Sequence, residues 1–411
     1  MKMTLYAFDG TWNSDEVDDI QDTNVVRFKE LYVGNNSEYL EGVGTRFGKI
    51  GEILGGLFGA GGKTRIDEMY DELCENWKTG DQVIDIIGFS RGAALAVHFA
   101  NKIGEEGISV SSGRVDRPRV RFLGLWDIVG SFGLSFNNVL NFQAINLGWK
   151  IDTVHQCVEH CFHAMALNER REAFQVTRLD PEDRYDNISE VWFRGVHSDI
   201  GGGNENVPRS NIALQWMLTQ ARNCGLPIDN EKAKRDRYAT VDRFAPISPN
   251  KDVKIDARRP VNENDKVDTT ALPYHLKVGE AHTCKVIARS PYNWSGVTLS
   301  AGGEYTFSVP ADSTWKDDDI ECGPEGWKSE DLPSHKEAIA KALERFRRAD
   351  ANWFALIGAL EDEDNALFVI GDGSTPYTAP KEADLYLLAN DMMTRYGNND
   401  GYLMVTIKRT A

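Results

Sequence analysis

Apolar residues in the first half of the chain fall into short dense runs, separated by longer stretches with helical spacing. Thr4–Phe8, Val83–Ile87, Val120–Trp126 and Glu190–Val196 read as strands. Asn24–Tyr32, Lys63–Lys78, Ala93–Asn101 and Asn211–Cys224 read as helices. In Lys63–Lys78 the residues Ile66, Met69, Tyr70, Leu73 and Trp77 recur on one face, the 3.6-residue period of an amphipathic helix. Asp152–Phe174 also reads as largely helical. Short apolar strands alternating with helices predict an α/β class, with a mainly parallel sheet covered on both faces.

Past Pro227 the pattern changes. Residues 229–272 are polar and charged, as expected of a connector or cap folded onto a first domain spanning 1–272. From there to residue 411 short β-like segments follow one another between turn signals: Cys284–Ala288, Tyr305–Val309, Ala366–Ile370, Leu385–Leu388 and Tyr402–Ile407. They predict a small β-sandwich over 273–411. Phe47–Gly62 is apolar and glycine-rich, and fits a lid or acyl-chain entry as well as a buried loop.

The 411 residues carry 46 basic and 63 acidic side chains, a net charge of −17. That balance disfavours nucleic acid as a partner and removes long-range attraction to anionic membranes. Basic clusters at Lys232–Arg237 and Arg345–Arg348 fit solvated helix faces. The first ten residues lack a charged-then-apolar signal, and no apolar run nears the roughly 20 residues a membrane span needs. The expectation is a protein cytoplasmic in its producing cell. The six cysteines form no C-x-x-C pair. Cys157 and Cys161, beside His160 and His163, would share a helix face, which fits a zinc site but more simply a core.

The chemistry centres on Gly88-Phe89-Ser90-Arg91-Gly92, placed between a predicted strand and a predicted helix. A serine on a sharp strand-to-helix turn presents its hydroxyl beside unpaired N–H groups; glycines flank it because the turn forces an unfavourable backbone conformation and a close strand-to-helix approach, where a β-carbon would clash. A serine hydroxyl is a weak nucleophile near neutral pH, so it needs a base, and the base needs an orienting acid. In α/β-hydrolases the order is Ser, Asp or Glu, His, each after a strand. Ser90, Asp127 and His197 satisfy that order, with Asp199 as the rival acid. The oxyanion donors would be the N–H of Arg91 and one from Gly10 or Thr11. An aspartate-based phosphatase using Asp9 would need a second carboxylate at position 11, which is threonine. No cofactor is needed for this catalysis.

The blocks FDGTWN (8–13), TNV (23–25), GVGT (42–45), GFSRGA (88–93), GLWDIVGSFG (124–133), HAMALNERREAF (163–174) and VWFRGVHSDIGGG (191–203) together resemble the α/β-hydrolase family that includes the type VI secretion phospholipase effectors. The resemblance implies hydrolysis of phospholipid acyl esters by Ser90, Asp127 and His197. It also implies export through a type VI system, with immunity or secretion-apparatus proteins as partners.

Near the C-terminus, Asn390-Asp391 and Tyr396-Gly397-Asn398-Asn399-Asp400-Gly401 gather side-chain oxygens before a last strand. Such a loop suits Ca²⁺ and suits a polar hairpin turn equally. The segment resembles the LecA-type galactose-binding bacterial lectins, as does Gly323-Pro324-Glu325-Gly326. That resemblance implies Ca²⁺ held by Asp391, Asn398, Asn399 and the backbone carbonyl of Arg395, with carbohydrate completing the shell. Arg395 stands where the lectins have threonine. His335 is the candidate for their sugar-contacting histidine.

Overall fold

A computed structural model describes residues 2–10, 22–41, 60–111, 114–130, 149–181, 186–249 and 257–411. Most of Phe47–Gly62 lies outside them. The chain divides into two compact units. Unit 1 is Met1–Arg243 with Asp252–Ala271, and unit 2 is Phe244–Lys251 with Leu272–Ala411. Within the expected connector, Phe244–Lys251 therefore groups with the second unit.

Unit 1 is built on β1 (Lys2–Phe8), α1 (Asn24–Leu31), β2 (Asn36–Leu40), α2 (Ala60–Lys78), β3 (Asp81–Phe89), α3 (Ser90–Glu106), β4 (Val120–Trp126), β5 (Cys161–Ala166), β6 (Ile188–Phe193), α4 (His197–Gly201), α5 (Val207–Asn223) and β7 (Lys266–Val267). The strands form one sheet in the order β7-β6-β5-β4-β3-β1-β2. Every pairing in it is parallel. Successive side chains alternate between two apolar layers, the two-residue period of a pleated strand. Tyr6, Phe8, Ile84, Ile86, Leu123 and Leu125 join one layer with Ile66, Leu73 and Phe99 of α2 and α3. Leu5, Ala7, Ile87, Phe89, Phe122 and Trp126 join the other with Val25, Phe28, Leu214 and Met217 of α1 and α5. Burial on both faces explains why the strands read as unbroken apolar runs.

The stretch Asp152–Phe174 is not the predicted helix: it contains strand β5, laddered between β4 and β6. Its composition favours helix, but two neighbouring strands with unpaired backbone groups outweigh that preference. The chain leaves β1 toward β2 on one side and continues from β3 toward β7 on the other. In open α/β sheets, the crevice beyond the strand C-termini at such a reversal is where ligands bind.

Unit 2 carries two antiparallel sheets. Its elements are β8 (Ala281–Ile287), β9 (Asn293–Leu299), β10 (Glu304–Ser308), β11 (Trp315–Asp317), β12 (Ile320–Cys322), α6 (Ser334–Leu343), β13 (Leu356–Leu360), β14 (Leu367–Val369), β15 (Tyr377–Thr378), β16 (Ala383–Ala389) and β17 (Asn399–Arg409). One sheet runs β12-β11-β17-β10-β15 with β8 also on β17, and the other runs β9-β16-β13-β14. A single apolar cluster takes Val286, Val405 and Ile407 from the first sheet and Leu356, Leu385 and Leu387 from the second. Among the described residues no helix is long and apolar enough to cross a membrane.

Candidate active site

The functional candidates of unit 1 follow the C-terminal ends of β3, β4 and β6. Ser90 follows β3 and opens α3, with φ at 60°. Asp127 follows β4 with φ at 44°. His197 opens α4, beyond β6. Their side chains meet in line: His197 Nε2 lies 2.8 Å from Ser90 Oγ. On the opposite edge of the ring, His197 Nδ1 lies 2.6 Å from Asp127 Oδ2. A carboxylate on Nδ1 fixes the proton there and leaves Nε2 to accept one from the serine. The imidazole is held between Phe89, with centroids 4.6 Å apart, and Phe174, 4.9 Å away.

Burial sets the electrostatics. It would raise the Asp127 carboxyl, but the Arg259 charge and the His197 contacts outweigh it and hold that carboxyl well below the usual range. Burial also dominates at His197 and lowers it, against the opposing pull of Asp127. The rival acid, Asp199, is used elsewhere. Its carboxylate accepts from Val196 N at 3.1 Å and from the amides of Asn204 and Asn206, each at 3.0 Å, holding the loop around His197 in shape.

Arg91 follows Ser90 in the first turn of α3, where N–H groups have no intrahelical acceptor. Gly10 lies against Ser90: a β-carbon there would sit 3.0 Å from Ser90 Cβ. The Gly10 N–H, however, donates to Asp9 Oδ1 at 2.7 Å, so in this structure it is not the free donor the sequence reading assumed. Thr11 lies outside the described residues. Asp9 is a buried anchor: besides Gly10 it accepts from Thr23 Oγ1 and Tyr39 OH, each at 2.7 Å.

Several residues at the site had no sequence-derived role. Glu169 and Arg171 lie inside the block HAMALNERREAF and form an ion pair, with Arg171 Nη2 2.9 Å from Glu169 Oε2. Glu169 Oε2 also accepts from His197 N at 3.1 Å. Arg259, one of 46 basic residues and set in a polar stretch, offered no signal at all, yet it grips Asp127 with both terminal nitrogens. His163 is buried on β5 between Glu190 Oε1, 2.9 Å from Nδ1, and Ile128 N, which donates to Nε2 at 3.1 Å. Among the described residues no group of three His, Cys, Asp or Glu could hold a metal, which removes the zinc reading of Cys157, His160, Cys161 and His163.

In unit 2, Asp391 and Asn399 meet: Asn399 Nδ2 donates to Asp391 Oδ2 at 3.1 Å. Asn398 Nδ2 donates to Asp317 Oδ1 at 3.2 Å, which brings in a carboxylate the sequence reading did not name. Burial and then the nearby Asp391 push Asp317 up to about 6. The Arg395 carbonyl accepts from Asn398 N at 3.1 Å. Asn399 Oδ1 is buried with no partner among the described residues. His335 is exposed on α6, and no described hydrogen bond joins it to this cluster.

A family model for the catalytic domain of Tle1-like phospholipase effectors of the type VI secretion system matches residues 2–117 and 110–220, together more than half of the chain. No curated protein matches. Among solved structures, an uncharacterized protein from Pseudomonas aeruginosa is 21% identical over 59% of this chain and 49% of its own (TM-score 0.41). This chain thus spans about half the length of that protein. The EclA N-terminal domain, described as a PllA-like lectin, is 20% identical over 31% of this chain and 95% of its own (TM-score 0.23). The Tle1 effector, solved bound to the VgrG spike of the Type 6 secretion system, is 16% identical over 97% of this chain and 70% of its own (TM-score 0.37). By the family match across β1 to α5, the chain belongs to the Tle1-like phospholipase effectors of the type VI secretion system.

Proposed function

We propose that the chain is a serine hydrolase of α/β-hydrolase type that cleaves acyl esters of phospholipids, with Ser90 as nucleophile, His197 as base and Asp127 as its orienting acid. The observation that carries this reading is the unbroken line from Ser90 Oγ through both His197 nitrogens to Asp127. His197 Nε2 takes the hydroxyl proton as Ser90 Oγ attacks the ester carbonyl, then returns it to the departing alcohol oxygen. Water, deprotonated by the same nitrogen, releases the fatty acid. The Arg91 N–H receives the oxyanion. The second donor comes from the turn after β1, where Gly10 N–H exchanges Asp9 for the substrate oxygen or Thr11 supplies its own amide. Family membership extends the reading to export by a type VI machine, with a secretion-apparatus protein and an immunity protein as partners.

Mass spectrometry of products from a phosphatidylethanolamine with two different acyl chains tests it. The wild type should release one or both fatty acids, and Ser90→Ala should lower the rate at least ~10³-fold with an unchanged circular dichroism spectrum. Full activity in Ser90→Ala would sink the assignment. Turnover of short-chain esters alone would move it to a carboxylesterase. No labelling of Ser90 by a fluorophosphonate would leave a binding protein with an inert core.

Unit 2 supports a second, separate reading: a lectin-like β-sandwich that binds Ca²⁺ and, through it, carbohydrate. Asp391, Asn398 and Asn399 side chains with the Arg395 carbonyl would hold the ion, and Asp317 lies at the same cluster. A buried carboxylate and a half-buried one close together, beside an unpaired amide oxygen, are a donor set suited to a hard cation. Ca²⁺ should raise the melting temperature of the wild type, and Asp391→Asn should abolish the rise. Binding of galactose-coated beads, with and without Ca²⁺, tests the sugar separately.

A further inference from the structure

Arg259 lies beyond the residues that the family model matches, in the polar stretch that joins unit 1 after Arg243. Its side chain is completely buried. Nη1 donates to Asp127 Oδ1 at 2.6 Å and to the Ala166 carbonyl at 2.8 Å. Nη2 donates to Asp127 Oδ2 at 3.0 Å and to the Phe174 carbonyl. Such a fork holds a carboxylate in one plane as well as binding it. Ala166 N adds a further bond to Oδ1 at 2.8 Å, so Asp127 is fixed before it meets His197.

The charge matters as much as the geometry. In the usual triad an unpaired aspartate stabilises the imidazolium that forms when histidine takes the serine proton. Here the aspartate is matched by a guanidinium. The other carboxylate near His197, Glu169, is matched by Arg171. Among the described residues, the charged groups named at the imidazole are therefore two neutral pairs, and its other contacts, Ser90, Phe89 and Phe174, are uncharged.

We propose that Arg259 is a positioning residue for the reaction: it fixes Asp127 and cancels its charge, so that His197 still serves as base in mildly acidic solution. The burial that already disfavours a charged imidazole acts in the same direction. This inference rests on the reading of Ser90, His197 and Asp127 given above.

The test is the pH dependence of fluorophosphonate labelling at Ser90 in the full chain, followed across the imidazole range. In the wild type the acid limb should lie below the ordinary imidazole value of ~6.5. Arg259→Gln removes the charge and should move the limb up by about one to two pH units, since a cation close by in a buried site is being lost. Arg259→Lys keeps the charge without the fork. It should leave the limb near the wild-type position and lower the plateau. A limb that does not move in Arg259→Gln, with only the plateau reduced, would overturn the proposal and leave Arg259 a structural tie. If Arg259→Gln does not fold, the wild type decides: a limb at or above ~7 is what an unneutralised Asp–His pair gives, and overturns the proposal equally. A wild type that never labels at Ser90 would instead remove the triad reading itself.

Discussion

Ser90 and Asp127 take the left-handed backbone region that non-glycine residues seldom enter, with φ at 60° and 44°. Each costs on the order of 1–3 kcal/mol, which the surrounding packing must offset. Of the two reasons the sequence offered for glycines around Ser90, a strained turn and a close strand-to-helix approach, the structure bears out the second. Neither Gly88 nor Gly92 has a positive φ; the strained conformation belongs to the serine. The glycines are there because backbone passes close by. A β-carbon on Gly92 would lie 2.4 Å from the Phe8 carbonyl oxygen, and one on Gly88 would lie 2.7 Å from Ala93 Cα. Backbone cannot rotate aside as a side chain can. Gly92→Ala should therefore cost about 1–3 kcal/mol in denaturant unfolding and lower kcat by displacing Ser90 from His197. Unchanged stability and rate would mean that β1 and α3 have slack the structure does not show. The residue types and order of the proposed triad could be read from the sequence because each follows a strand whose apolar run is distinctive. Arg259 could not, because a lone arginine in a polar stretch looks the same whether it faces water or a carboxylate.

At the scale of elements, the strands of unit 1 were legible wherever burial on both faces makes them largely apolar: β1, β3, β4 and β6 overlap the predicted runs. The helices α1, α2, α3 and α5 announce themselves by their period. The failures share a cause. β5 (CFHAMA) contains residues equally at home in a buried helix, and no local signal distinguishes the two. Its identity comes from backbone pairing to β4 and β6, a long-range property. The shared helix face of Cys157 and Cys161 falls with the predicted helix, while burial, the simpler reading of both cysteines, stands. As a strand, β5 instead delivers His163 to Ile128 N and Glu190, and its end delivers Ala166 N to Asp127. In unit 2 the predicted β segments omitted β9 and β13, each with a glycine inside, and the short strands β11, β12 and β15, and missed helix α6. Glycine weakens the appearance of a strand while leaving its ladder intact.

For the whole molecule, the charge of −17 acts on any encounter with a lipid surface. If phospholipid is the substrate, vesicles of zwitterionic lipid should be hydrolysed several-fold faster at low ionic strength than vesicles rich in phosphatidylglycerol. The gap should close as salt shortens the screening length toward ~8 Å. A faster rate on anionic vesicles at low salt would show that a local basic surface overrides the net charge. Composition, strand–helix alternation and the ordered Ser90, Asp127 and His197 were fixed by sequence alone, because each depends on local period or on chain order. What only the tertiary structure decided are the relations between residues far apart in the chain. These are the switch between β1 and β3 that places Ser90, the Gly10 amide committed to Asp9, the placing of Asp317 beside Asn398, and the grip of Arg259 on a carboxylate 132 positions away. Chain order carries no distance information. Only the packing of the sheet and the burial of both charges turn an arginine of the connector into the partner of Asp127.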